Sequence, residues 1–289
     1  MKTQNFVLII GFILSMFSCE KFTNQDSSEF RLVFSDGSEI AQSDIQFYDS
    51  STHLLFLKKD FDLNNFAPHF SVLVGNDTIY QGVKYSCLLS YPPSEPFYIL
   101  DCFLYGRDII DIGFHPLSKD LRNDPRIINS FKNSNLLRTG ISCTIDKITI
   151  KSFDNYSEVS CKITITNNDR ISYYILDPRK MGELDFNYFT GGLIFENIDA
   201  QTSSFLRWSA ENPDWDNLTM NDFTVLSGKS EISYTFKSSD YYKMDKGLYT
   251  ARFSFCGPQH KTSEFELNRL NGRIWVGNAL SIKDSLLVE

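Results

Sequence analysis

The sequence predicts an all-β fold, two β-sandwich-like domains joined by a short helix. Three observations predict it. Apolar residues alternate with polar ones at a period of two through most of the chain. Gly, Asn and Asp turn signals separate these short runs. Only one segment carries the caps and spacing of a helix. The chain has 289 residues, 42% hydrophobic and 15% aromatic, which suffices for one or two packed cores and excludes a disordered or collagen-like chain. The net charge is −8, with no basic domain, which argues against nucleic-acid binding.

The chain opens with Lys2 and an apolar run from Phe6 to Phe17. That run is too short for a membrane-spanning helix, which takes about 20 residues, and fits the apolar region of a secretory signal. Ser18-Cys19 then resembles a bacterial lipobox, where cleavage precedes a lipidated cysteine. Met16 and Phe17 stand where Leu and a small residue are usual, a looser version of the motif. The expectation is a lipoprotein signal peptide over 1–18, lipid on Cys19 and a polar tether over 19–29. Several acyl chains, at ~0.8 kcal/mol per buried CH₂, would hold the protein permanently at the outer membrane, on the cell surface or on the periplasmic face. The plainer alternative is an ordinary signal peptide that leaves Cys19 as a thiol.

Residues 30–117 read as the first β domain. Phe30, Leu32 and Phe34 alternate before Ser35-Asp36-Gly37, and Leu54–Leu57 is a short apolar run. Phe70, Val72 and Val74 lead through Gly75-Asn76-Asp77 into Thr78-Ile79-Tyr80, a hairpin signal. Tyr85–Tyr91 and Phe97–Leu104 flank a Pro-rich stretch and read as a second hairpin. In a symmetric hairpin Cys87 faces Cys102 and Tyr91 faces Tyr98, and a Cys87–Cys102 disulfide is the candidate pairing in an oxidising envelope; two buried thiols are the alternative. None of the six cysteines forms a C-x-x-C pair, so zinc-ribbon and thioredoxin-like sites are unsupported.

Residues 118–140 read as a helical connector between the domains. Asp124 before Pro125 is an N-cap with proline at the first helical position. Ile127, Ile128, Phe131 and Leu136 or Leu137 follow at helical spacing, and Gly140 stands as the stop.

Residues 141–289 read as the second β domain. Ile141, Cys143 and Ile145 alternate in odd phase, Ile148 and Ile150 in even phase, so a bulge is expected near Asp146-Lys147. Val159, Cys161, Ile163 and Ile165 share one face, and further strands are expected at 171–175, 193–195, 205–208, 232–236, 249–255 and 274–282. Asp245-Lys246-Gly247-Leu248-Tyr249-Thr250-Ala251 matches the D-x-G-x-Y-x-C stretch of immunoglobulin domains, with Ala251 in place of the cysteine. In that fold the tyrosine hydroxyl bonds back to the backbone, a tyrosine corner, here Tyr249 and Asp245. The second domain is therefore expected to be an immunoglobulin-like sandwich in which Cys161 packs as a hydrophobe.

Little here signals chemistry. His53, His69, His115 and His260 are scattered, and no nucleophile elbow is present. Gly228-Lys229-Ser230 lacks the phosphate-loop glycine, which is Phe223. The acidic stretch from Asp60 to Asn64 lacks the EF-hand Gly and Glu; it and Asp214-Trp215-Asp216-Asn217 read as solvated turns, with a weak calcium site in either loop as the alternative. No catalytic residue, metal or cofactor is assigned. The aromatic exceptions are Trp208, Trp215, Tyr241 and Tyr242, which lie among polar residues in expected loops. Exposed rings there would stack on sugars or form a protein-binding patch; capping the ends of the sandwich is the structural alternative.

Stretches of the second half, Ile165-Thr166-Asn167-Asn168-Asp169, Tyr174-Ile175-Leu176-Asp177-Pro178, Lys180-Met181-Gly182, Tyr188-Phe189-Thr190-Gly191-Gly192-Leu193 and Gly272-Arg273-Ile274-Trp275-Val276-Gly277, resemble uncharacterised Bacteroidota lipoproteins. The resemblance implies an envelope location and a sandwich domain, and carries no activity. The expected function is a non-catalytic, lipid-anchored binding or assembly role at the outer membrane, with an envelope protein or a glycan as partner. Glycan capture for polysaccharide uptake, an envelope hydrolase and a protease inhibitor are the alternatives.

Overall fold

The structure, a computed structural model, describes residues 28–101, 104–188, 191–200, 203–204, 211–259 and 273–288. The expected signal peptide, Cys19, Cys102, Trp208, His260 and the strand expected at 205–208 lie outside them. The protein is all-β, with one α-helix among the described residues.

The first sheet holds β1 (Phe30–Phe34), β2 (Glu39–Ala41), β3 (Ile45–Asp49), β4 (Leu54–Leu57), β5 (His69–Val74), β6 (Asp77–Tyr85), β7 (Phe97–Leu100), β8 (Ile109–Phe114) and β9 (Leu137–Arg138). Their spatial order is β2-β1-β5-β6-β7-β8-β4-β3-β9. The expected hairpin over 70–80 is β5 and β6, antiparallel. The second expected hairpin is corrected. β7 runs parallel to β6, with Val83 beside Tyr98 and Tyr85 beside Leu100. Residues 86–96 are long enough to carry the chain back to the starting end of its neighbour, which a tight turn cannot do. Tyr91 therefore does not pair with Tyr98; Tyr85 stands edge-on to both, at 6.2 and 5.8 Å. Cys87 is an exposed, free thiol.

Helix α1 (Pro125–Asn133) starts as expected, Asp124 accepting from the Arg126 N–H at 2.9 Å. It stops earlier than Gly140. Asn135 takes φ +58°, its N–H donates to the Lys132 carbonyl, and the Leu136 N–H reaches back to the Phe131 carbonyl. These two bonds satisfy the last carbonyls as in a Schellman motif, and the freed chain adds β9 to the first sheet, parallel to β3. The helix is also more than a connector. Ile127 and Phe131 pack into the first core with Phe30, Leu32 and Tyr48, and Phe131 lies 4.8 Å from Phe30 and 5.0 Å from Tyr48.

In the second half, β10 (Ile141–Ser152), β11 (Tyr156–Asn167) and β16 (Glu231–Tyr242) form one sheet in the order β10-β11-β16. β13 (Gly192–Asn197), β14 (Ser203–Ser204), β17 (Gly247–Cys256) and β18 (Asn278–Val288) form another in the order β14-β13-β17-β18. β12 (Tyr173–Leu176) pairs with β15 (Phe223–Leu226). The inner faces of the two larger sheets meet in one core, from Cys143, Cys161 and Ile163 on one side to Phe195, Ala251 and Phe253 on the other. Asp146 is the extra residue of a bulge in β10, between Ile145 and Lys147. Thr144 and Thr164 hydroxyls donate to its carboxylate, and Lys162 pairs with it at 3.3 Å.

The two halves share a wall. Leu55, Ile110 and Tyr48 face the first core, while Leu54, Phe56, Phe47 and Ile109 on the same strands face the second. A strand covered on both faces must be apolar throughout, which explains the unbroken Leu54–Leu57 run.

Candidate functional site

Two of the exposed aromatic residues, Phe153 and Tyr242, lie on the outer face of the β10-β11-β16 sheet with the half-buried Tyr156; Tyr91, also exposed, lies apart in the first half. Side chains alternate across a strand, and register decides which face each residue takes. Tyr242 stands directly opposite Tyr156, so both rings lie on one face. Phe153, in the turn from β10 to β11, stacks on Tyr156 with centroids 4.8 Å apart and planes 12° from parallel. The Phe153 N–H donates to the Tyr156 carbonyl at 2.9 Å, which closes the turn and fixes the stack. Phe153 is 41% exposed and Tyr242 57%.

The next residues on that face are polar. Lys151 stands opposite Glu158, and Thr149 opposite Ser160, which in turn faces Lys237. The β11–β16 ladder slips between Ser157 and Val159, and a groove of about 480 Å³ lies there over Thr149, Lys151, Glu158, Ser160, Lys237 and Ser239. Tyr242 borders a separate cleft of about 400 Å³ with Asp199, Lys243, Asp245 and Lys246.

Local bonds hold this end rigid. The Tyr249 hydroxyl donates to the Asp245 carbonyl at 3.0 Å, pinning the corner that carries Lys243 to Lys246. Asn197 Oδ1 accepts from the Asp199 and Ala200 N–H groups. The Met244 N–H donates to Ser157 Oγ, and the Ser152 hydroxyl to the Met244 carbonyl, which ties the corner to the β10–β11 end.

The four rings singled out from sequence do not act together. Trp215 is 7% exposed, in a 3₁₀ turn over Trp215–Asn217, and meets Tyr188 edge-on at 5.8 Å. Tyr241 is 1% exposed because β16 extends through Tyr242 and turns residue 241 inward, where its hydroxyl donates to the Leu193 carbonyl at 3.0 Å. Both expectations of exposure are thus corrected, and of the three described rings Tyr242 alone is exposed. In the sequence Phe153 and Tyr156 look like ordinary strand alternation, and only the Asp154-Asn155 turn between them marks the pair.

Elsewhere, Asp62 caps the turn over Leu63–Asn65, and Asp214 accepts from Asn217 Nδ2. Both acidic stretches therefore have structural work. His53 Nδ1 lies 3.0 Å from the Tyr48 hydroxyl. Burial, aided by Arg122, pushes this histidine down to about 4. Among the described residues, no group of three or more His, Cys, Asp and Glu could hold a metal ion, and no helix is long and apolar enough to cross a membrane.

No known family model matches the chain, and no curated protein matches it.

Proposed function

We propose that the protein is a non-catalytic binding protein held at the outer membrane through lipid on Cys19, with the immunoglobulin-like second half as its binding unit. The observation that carries the reading is the ring row Phe153, Tyr156 and Tyr242, displayed on a rigid ladder. Aromatic side chains held in place on a sheet face, with part of each ring open to water, are favourable anchors for a partner. The immunoglobulin-like assignment draws support from the three- and four-stranded sheet orders and from the Tyr249–Asp245 corner. The anchor rests on the apolar run Phe6–Phe17 and the Ser18-Cys19 junction.

The test places the photo-reactive residue benzoylphenylalanine at position 242 in living cells, with position 225 as control, since Val225 is equally exposed at 54%. The reading expects adducts from 242, none from 225, and their loss when Cys19→Ala releases the protein from the membrane. Equal adducts at both positions, or none at 242, contradict it.

A further inference from the structure

We propose that the outer face of the β10-β11-β16 sheet is a carbohydrate-binding platform for an extended, largely uncharged glycan chain, with Phe153, Tyr156 and Tyr242 as its stacking rings. The inference rests on the binding reading above and adds the ligand class.

Three features of the face select this class. A pyranose ring presents a flat C–H face beside a rim of hydroxyls, so its receptor needs an aromatic face with hydrogen-bonding groups in the same plane of approach. The ring row supplies the first. The following rows supply the second, with Thr149, Ser160 and Ser239 hydroxyls between Lys151, Glu158 and Lys237. Alternate residues on a strand are about 7 Å apart, so one chain of sugars lying along the strands would cross the rings and then the polar rows. The groove's volume of about 480 Å³ is of the size that holds a small ligand or part of a chain.

The charges narrow the class. In the groove Glu158 offsets one of the two lysines, Lys151 and Lys237, and in the neighbouring cleft Asp199 and Asp245 balance Lys243 and Lys246. A polyanion would meet these carboxylates and a chain of net charge −8. A polycation would meet four lysines. A neutral, hydroxyl-rich chain meets donors and acceptors of both kinds. A protein hot spot, by contrast, is expected to have an apolar centre sealed by a polar rim; here the rings stand one row along the strands from a polar groove that they do not line.

The experiment is calorimetric titration of the full-length protein in detergent micelles with hexasaccharides of α-1,4-glucose, β-1,4-glucose, β-1,4-xylose, β-1,4-mannose and β-1,4-N-acetylglucosamine. Saturation binding to at least one is expected. Tyr242→Ala and Phe153→Ala should each weaken that binding at least tenfold, and Val225→Ala should not. Thermal melts check that each variant is folded. Absence of binding to all five at millimolar sugar overturns the inference, as does binding that the Phe153→Ala/Tyr242→Ala variant retains. Adducts from position 242 that prove to be protein, with no sugar bound, overturn the glycan inference while leaving the binding reading in place; absence of adducts overturns the binding reading itself.

Discussion

Tyr242 stands opposite Tyr156 on the outside of the β11–β16 ladder, while Tyr241, its neighbour in sequence, is sealed inside against Phe195 at 5.4 Å. One step along a strand separates a core residue from a displayed one. Tyr241→Ala is expected to cost about 3–5 kcal/mol of stability, in the range for a large buried ring. Tyr242→Ala is expected to fall within about 0.5 kcal/mol of wild type. Urea melts of the two variants check this pair.

The corner under the site depends on one hydroxyl. Tyr249 is 3% exposed and its hydroxyl donates to the Asp245 carbonyl. Tyr249→Phe keeps the ring and leaves that carbonyl without its partner, at about 1 kcal/mol. Denaturant melts should show that loss, and the Phe153–Tyr156 stack should be undisturbed in the aromatic region of an NMR spectrum.

The junction between the halves closes on Gly140, at φ +57°. A Cβ there would collide with the Asp49 carboxylate and Ser51 Oγ. Asp169 receives the Gly140 and Thr139 N–H groups and the Tyr173 hydroxyl on the other side. Gly140→Ala is therefore expected to cost about 1–3 kcal/mol or more, through strain and the displaced carboxylate. A lowered thermal midpoint would register it; an unchanged one would mean that the junction is looser than described.

Asp49 gives a pH dependence of known sign. Burial raises it from the ordinary 3.8 to about 6, with the Asp169 charge adding to the rise and Ser51 bonds opposing it. A carboxyl raised in the fold favours the folded state fully below about 3.8, and that contribution is lost as pH rises through about 6. The full change corresponds to roughly 3 kcal/mol as an upper bound. Asp49→Asn keeps an acceptor for Ser51 and carries no charge. The stability difference, variant minus wild type, should therefore grow between pH 4 and pH 7 in the variant's favour. A difference that is flat with pH would contradict the buried, charged reading of this carboxyl.

The thiols should differ in reactivity. Cys87 is exposed, whereas Cys143 and Cys161 are buried and pushed up to about 12 by desolvation. Maleimide on the native protein should modify Cys87 within minutes and leave Cys143 and Cys161 untouched until denaturant is added. Peptide mapping reads each site, and an unreactive Cys87 freed by reductant would restore the disulfide alternative.

Strand content was legible because half-buried strands write their period into the sequence. The phase change across Ile145 and Ile148 located the Asp146 bulge for the same reason. Pairing direction was not legible, since parallel β6 and β7 and an antiparallel hairpin show the same alternation on either side of residues 86–96. The helix stop was missed because Asn135, rather than a glycine, adopts the left-handed conformation. At the site, Tyr242 was visible from its polar neighbours, but the same signal misplaced Tyr241, because sequence neighbours do not reveal where a strand ends, and Trp215, which a 3₁₀ turn buries against Tyr188. Phe153 and Tyr156 come together only through the turn and the cross-strand register.

The most direct test of the account is the mass of the N-terminal tryptic peptide of protein purified from its own membranes. A lipid anchor requires a peptide that begins at Cys19 and carries diacylglycerol on its sulfur, and that is lost in Cys19→Ala. An unmodified peptide that contains Cys19 together with residues preceding it would contradict the lipid anchor and the envelope-bound role built on it.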